Sequence, residues 1–409
     1  MADCVMIQSW PEPVWLAGSP GHLRQSFLAP RPAALLDSRC MSEAEPLQQV
    51  NRTYIRLRGR TFSYFSGCDY FRLASHPAVH AAIKDGLRRF GLNVAASRLT
   101  SGNHVLFRQL EDRIKRFFGA EAALLTNGGY ATNLVVAQAL AGQFSHALLD
   151  ERAHLSLQDA AQFLDCPVLK FGHRDPEDFA RALQRCGRGA RPIVLTDGLF
   201  ARDGAVAPLK AYLKLLPRDG LLVVDDAHGG GTVGATGKGA VEIEGVRGAR
   251  VVHNVTLSKA FGVYGGAVLC SRALRAKLVE RSRIFAGSTP LPLPLAAGAR
   301  RAIDTLHRDK SLRRRLVANS NYVKRALRKA GLPLPEAPGP IIPVNPHGKR
   351  EAAALKRQLL AARIFPPLTK YPGGPPGGYF RFVISSEHTG AQLDQLIKVL
   401  SAFAKSEQL

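Results

Sequence analysis

The sequence lacks any hydrophobic run near the roughly 18 residues that a membrane span needs. Its N-terminus has no basic region leading into an apolar stretch, so nothing reads as a secretory signal. The six cysteines (4, 40, 68, 166, 186 and 270) form no CxxC pair, which argues against a zinc site and against a disulfide framework. A reduced, cytoplasmic setting is expected. There is no internal repeat and no low-complexity tract. Acidic residues are in deficit, with 32 Asp and Glu against 56 Lys and Arg and a net charge of +24. Such a balance suits nucleic acid, an acidic carrier protein or a phosphate-rich substrate. The basic residues are scattered, however, with Arg313-Arg314-Arg315 as the one tight run. Overall composition therefore explains the charge better than a nucleic-acid footprint, and no nucleic-acid partner is expected. What remains is ordinary for a globular chain: 409 residues, 46% hydrophobic and 22% charged, ample for a large core and two lobes.

The chain centres on residues 221–266. LLVVD (221–225) is apolar and β-branched, then meets Asp225, Asp226 and His228. This reads as a buried parallel strand with polar groups at its C-terminal end, where open α/β sheets place ligands. RVVHNVT (250–256) is a second such run, followed by Ser258 and Lys259 and by glycines 262, 265 and 266. One acid, one histidine and one lysine thus lie at the mouths of two strands. A lysine there can form a Schiff base with pyridoxal phosphate (PLP) and later act as a base. An aspartate against the cofactor's ring nitrogen favours its protonated form. Two other motif readings fail. Gly229, Gly231 and Gly234 make a GxGxxG, but no helix pattern follows. Gly237-Lys238 has neither the preceding glycine nor the following Ser/Thr of a P-loop.

Around this centre the chain alternates strands and helices. Residues 53–75 read as short strands with turns. Helices are expected over 77–90 and 105–118, the latter with Leu106, Leu110, Ile114 and Phe117 on one face. Strands are expected at 122–126, 146–150, 167–171, 192–196, 221–225, 250–256 and 266–270, with helices between. That rhythm implies a mainly parallel sheet covered on both faces. Residues 295–330 read as one long basic helix or two, 333–348 as proline-rich, 379–386 as a strand and 390–405 as a final helix. The expected domains are an irregular extension over 1–45, a segment over 46–95 joining the small lobe, a large cofactor domain over 96–290 and a small α+β domain over 291–409. The first 40 residues are read as a disordered extension or as lying before the true start at Met41. Asn127-Gly128-Gly129-Tyr130 sits between a strand and a helix, a setting that frees backbone N–H groups for a phosphate, although a plain tight turn has the same pattern. His154 follows another strand end, where its ring could stack on a flat cofactor.

The order of these features resembles the α-oxoamine synthases, a group within the fold-type-I PLP enzymes. The markers are FSGCDYFRLASHPAV, ASRLTSGNHVLFRQLE, ALLTNGGYATN, LLDERAHLSLQDA, VLTDGLFARDG, VVDDAHGGGTVGATGKG, TLSKAFGVYGG and RFVISSEHT, and the resemblance covers about residues 50 to 402. The resemblance implies that Lys259 carries the cofactor and moves protons. It gives Asp225 the ring nitrogen, His228 the ring oxygen, and His154 a stacking place. Gly129, Tyr130, Thr256 and Ser258 would hold the phosphate. Arg381 would hold the substrate carboxylate, beside Cys68, where several members have asparagine. The resemblance also implies a homodimer with shared sites. Other departures from the family pattern are Ala201 for a serine, Phe107 for a histidine, Phe365 for an arginine before Pro-Pro and Arg72 for a glycine, with the Ser-Thr pair displaced to Ser288-Thr289.

The expected activity is condensation of an amino acid with an acyl thioester, carried by CoA or an acyl carrier protein, with loss of CO2 to give an α-amino ketone. Two other readings stand beside it. An aminotransferase would use the same lysine, aspartate and arginine. A non-catalytic partner or regulatory binding protein would retain the fold; the presence of Lys259 speaks against it.

Overall fold

The computed structural model describes residues 45–371 and 374–406. The expected N-terminal extension, residue 45 excepted, lies outside the described residues. From Leu47 the chain forms one unit, and it opens with a small antiparallel sheet of β1 (Gln48–Gln49), β2 (Tyr54–Leu57) and β3 (Arg60–Ser63). Helices α1 (Pro77–Phe90) and α2 (Val105–Phe118) follow. Both are capped by the histidine before them, His76 and His104, whose ring nitrogen accepts a backbone N–H.

The apolar runs then build one seven-stranded sheet. Its strands are β4 (Ala122–Thr126), β5 (His146–Asp150), β6 (Val168–Phe171), β7 (Pro192–Asp197), β8 (Leu221–Asp225), β9 (Val251–Thr256) and β10 (Gly266–Cys270). The order is β4-β10-β9-β8-β7-β5-β6. All pairings are parallel except those of β10, which runs against both β4 and β9. The connection from β9 to β10 explains the reversal: residues 257–265 are too few for the helical crossover a parallel return needs. Helices α3 (Gly129–Ala139) and α4 (Leu155–Gln162) lie between the first strands. Then come α5 (Pro176–Arg185), α6 (Leu209–Leu215), α7 (Ala240–Ile243), α8 (Arg272–Arg281) and α9 (Arg283–Gly287). Five of the seven strands are buried at every position, because helices cover both faces. Val252 on β9 packs with α3, α4 and α8. Val251 and Val255, on the opposite face, pack with α6 and α2. The four apolar residues expected on one face of α2 are all buried there.

The basic stretch is two helices, α10 (Leu293–Arg308) and α11 (Lys310–Lys329), split where Asp309 caps the second by accepting from Ser311 N at 2.9 Å. The α10 helix packs in the same core as α1 and α2. The chain ends in a three-stranded antiparallel sheet, β11 (Ile341–Val344), β12 (Leu368–Thr369) and β13 (Tyr379–Val383), with α12 (Lys349–Ala361) and α13 (Gly390–Ser406). Strand β11 lies inside the stretch read only as proline-rich. Pro343 is tolerated because β11 is an edge strand, paired to β13 alone. The early segment ties into this unit: Ser63 N donates to Arg363 O at 2.8 Å, and Phe65 lies in its core. No helix among the described residues is long and apolar enough to cross a membrane.

One buried acid fastens the large sheet to its helices. Glu111 on α2 is 6% exposed. It accepts from Leu125 N on β4 at 3.0 Å and pairs with Arg98 at 2.5 Å and Arg275 at 3.0 Å. Replacing it leaves guanidinium groups without a counter-charge, so Glu111→Ala is expected to cost about 3–5 kcal/mol. Denaturant unfolding checks this, and a loss below about 1 kcal/mol would contradict it.

Candidate active site

Strand register assembles the site at the C-terminal edge of the sheet. Asp225 on β8 pairs with Asp197 on β7 and with Asn254 on β9. Gly266 on β10 sits between Thr126 and Thr256. Asp225 is 6% exposed. One carboxylate oxygen accepts from Ala227 N at 3.1 Å. The other accepts from Asn133 Nδ2 at 2.6 Å and from Ser156 Oγ at 3.4 Å. Asn133 is itself oriented by Asn254, whose Nδ2 donates to Asn133 Oδ1 at 2.7 Å. A buried carboxylate is thus held by three donors, one of them oriented in turn by β9 through Asn254, which compensates its loss of water.

Lys259 projects from the turn between β9 and β10. Ser258 N donates to Thr256 Oγ1 at 3.1 Å, fixing the start of the turn. Gly262 has φ +62°, and a Cβ there would fall 2.3 Å from Ala74 N, so only glycine lets the turn lie against residue 74. Lys259 Nζ lies 2.8 Å from His228 Nε2, and His228 Nδ1 lies 2.7 Å from Tyr70 Oη. Burial, with the Lys259 and Arg381 cations next, pushes the His228 pKa well below its ordinary value. A neutral imidazole donates through one nitrogen and accepts through the other, so Tyr70, His228 and Lys259 form one proton-sharing chain. Burial also lowers the Lys259 pKa and raises that of Tyr70 well above the phenol range.

A second acid stands beside Asp225. Burial, reinforced by the charge of Asp225, raises the Asp197 pKa well above the carboxylate range. Asp197 Oδ2 accepts from His154 N at 2.8 Å. That bond sets His154 at the start of α4, where its Nδ1 accepts from Ser156 N at 3.2 Å and its ring meets Tyr130 edge-on.

The start of α3 is a cradle. Gly128 precedes it in extended conformation with no side-chain cap, so the first N–H groups face outward unpaired. A Cβ on Gly129 would come within 2.9 Å of Thr256 Cβ; the glycine lets this backbone approach the Thr256 hydroxyl. Asn127 Nδ2 donates to Thr289 O at 2.7 Å, which places the displaced Ser-Thr pair beside this cradle. Ser258 is exposed here.

Arg381 comes from β13 and is 6% exposed. Its Nε donates to Ala201 O at 2.5 Å, and its Nη1 faces Cys68 Sγ at 3.7 Å. Its Nη2 is buried and has no partner among the described residues, a donor without an acceptor there. The ring of Tyr371 stacks on the guanidinium at 5.4 Å. Burial alone would raise the Cys68 pKa, but the Arg381 and Lys259 cations outweigh it and the net shift is downward.

Residues 67–400 match the family described as aminotransferase class I and II. The chain is 33% identical to 8-amino-7-oxononanoate synthase of Trichlorobacter lovleyi, an alignment covering 87% of this chain and 92% of that protein. Its backbone is similar to that of Sphingomonas wittichii serine palmitoyltransferase, with a TM-score of 0.82 and 28% identity over 88% of this chain and 92% of that one. A serine palmitoyltransferase from S. paucimobilis with bound PLP–myriocin aldimine also scores 0.82, at 26% identity over 88% and 91%. The chain belongs to the α-oxoamine synthase family. It is a PLP-dependent transferase of fold type I. The site fits the cofactor on its own features: an amine beside an imidazole, a buried carboxylate at a strand end, and an uncapped helix start that a Cβ would fill. The structure brings Lys259, His228, Asp225, Arg381 and Cys68 within reach of one another's charges, and sets His154 against Tyr130, Gly129 against Thr256, and Ser258 on Thr256.

Sequence reasoning missed Asn133, Ser156, Asp197 and Tyr70, which hold the named residues in place. Their signals were present: Asn133 ends the NGGYATN motif one turn into α3, and Asp197 ends the strand beside Asp225. At Arg72 the structure explains a departure. Its φ of 53° is left-handed, which glycine adopts without cost. Here the arginine is held by donating to Tyr64 O at 3.0 Å.

The proton on Asp197 gives a pH test. The folded chain retains a proton that the unfolded chain releases above about pH 4. Stability therefore falls as pH rises through that point toward the raised folded value. Asp197→Asn mimics the protonated acid. It is expected to be more stable than the parent at neutral pH and to flatten the decline between about pH 4 and 7. Urea midpoints across that range check it; identical slopes would show that Asp197 is ionised in the folded protein.

Proposed function

We propose that this site condenses an amino acid with an acyl thioester, releasing CO2 and an α-amino ketone. One observation carries the reading: a lysine, a buried strand-end carboxylate and a buried guanidinium lie close enough for their charges to act on one another. Bound PLP supplies an electron sink for negative charge at the amino acid's Cα. Asp225, fixed by Asn133 and the Ala227 amide, keeps the ring nitrogen protonated. Lys259 holds the cofactor through its ε-amine and, when released, takes the Cα proton. Burial favours the neutral amine that base work needs. His228, its imidazole fixed by Tyr70, would hold the ring oxygen, and His154 would pack against the ring. The N–H groups at the start of α3, with Gly129, Tyr130, Thr256 and Ser258, hold the phosphate. The Nη2 of Arg381 binds the substrate carboxylate, with Cys68 beside it.

The same reading assigns residues 96–290 to the cofactor domain and 291–409 to the smaller one, with 46–95 joining them and α10 packed back on α1 and α2. It takes a second copy of the chain as partner in a homodimer. The acyl carrier, CoA or an acidic protein, meets a basic surface. The free cysteines 68, 166, 186 and 270 suit a reducing cytoplasm. The named relatives are a synthase and two palmitoyltransferases, which supports condensation over transamination.

Absorbance of the purified holoprotein, titrated with a panel of amino acids, tests the reading. One amino acid is expected to shift the visible band. Lys259→Ala is expected to lose both the parent band and turnover; retained turnover would refute the lysine's role. Arg381→Ala is expected to keep the cofactor and weaken amino-acid binding at least about tenfold. Unchanged affinity would refute the carboxylate assignment.

A further inference from the structure

Cys68 brings to the carboxylate end of the cavity a chemistry that asparagine lacks. Its sulfur faces Arg381 Nη1 at 3.7 Å, and the neighbouring Nη2 has no partner among the described residues. The residue is partly exposed rather than sealed in the core. The titratable groups facing it are Arg381 from β13, Lys259 from the β9–β10 turn, and Tyr70, Arg72 and Tyr371. The cations of Arg381 and Lys259 favour a sulfur anion, the nucleophilic form. The other three described cysteines are the opposite case: burial raises the pKa of Cys166, Cys186 and Cys270.

We propose that Cys68 is an oxidation-sensitive modification site, where reaction with a hydroperoxide gives a sulfenate that occupies Arg381 in place of the substrate carboxylate. The inference rests on Arg381 as the carboxylate anchor. The sulfur lone pair attacks one peroxide oxygen. The S–O bond forms as the O–O bond breaks, and the leaving hydroxide takes the proton of the new sulfenic acid, giving the sulfenate and water. Sulfur is oxidised by two electrons and the peroxide is reduced by the same two. The new S–O⁻ oxygen is an acceptor for the guanidinium donor that has none. A dithiol restores the thiol by displacing the oxygen as water and then closing its own disulfide.

Two measurements on the holoenzyme test this. In the first, iodoacetamide labelling at neutral pH is mapped by peptide mass. Cys68 is expected to label at least about tenfold faster than Cys166, Cys186 and Cys270; equal or slower labelling overturns the inference. In the second, hydrogen peroxide is expected to add one oxygen to Cys68. Amino-acid affinity, read from the cofactor band, is expected to fall at least about tenfold and to recover with dithiothreitol. Cys68→Asn and Cys68→Ser, each compared with its own untreated sample, are expected to show no such fall. A fall in both variants as large as in the parent, or Cys68 oxidised with affinity unchanged, overturns the inference. If affinity is unchanged while Arg381→Ala still weakens binding in fresh enzyme, the carboxylate reading survives and the Cys68 inference alone fails. If Arg381→Ala has no effect, the carboxylate reading fails, while the labelling order still judges Cys68 reactivity separately.

Discussion

The buried carboxylate of Asp225 is the constraint on which the rest of the site depends. A strand-end acid shut away from water needs donors from every side. The fold supplies them from β8 itself, from α3 through Asn133, from α4 through Ser156 and, one step back, from β9 through Asn254. That network fixes where α3 and α4 begin, and with them the phosphate cradle and His154. It also sets the character of its neighbour. Burial and the Asp225 charge both raise the Asp197 pKa, so a second strand-end anion beside the first is disfavoured.

The opposite wall is organised by cations. Lys259 and Arg381 come from different ends of the chain, one from a turn in the large sheet and one from β13. Their charges act on the same residues. They add to burial in depressing His228, and they draw Cys68 below its ordinary range; one Arg381 donor has no partner among the described residues. A site with a buried acid at one side and a spare cationic donor at the other is shaped for a zwitterion, which is what an amino acid is.

Much of this was legible in the sequence, because the sheet is buried on both faces and each strand reads as a plain apolar run. The strand ends then point to Asp225, His228 and Lys259 directly. Three things were not legible. The direction of β10 is hidden, since an apolar run reads alike both ways, and only the short 257–265 connection decides it. Strand β11 is masked by Pro343, which an edge position tolerates. The supporting shell of Asn133, Ser156, Asp197 and Tyr70 is set by strand register and helix facing, which no local motif states. The departures from the family pattern take on physical meaning only in three dimensions. Arg72 occupies a left-handed backbone position, Phe107 is wholly buried under the Arg98 guanidinium, and Ala201 offers Arg381 its carbonyl in place of a side chain.

The most direct test of the account is CO2 release from a carboxyl-labelled amino acid, measured with and without an acyl thioester. The account predicts label release that depends on the thioester and stops when Lys259 is replaced. Conversion of the amino acid to a keto acid without thioester, with the label retained in that product, would contradict it.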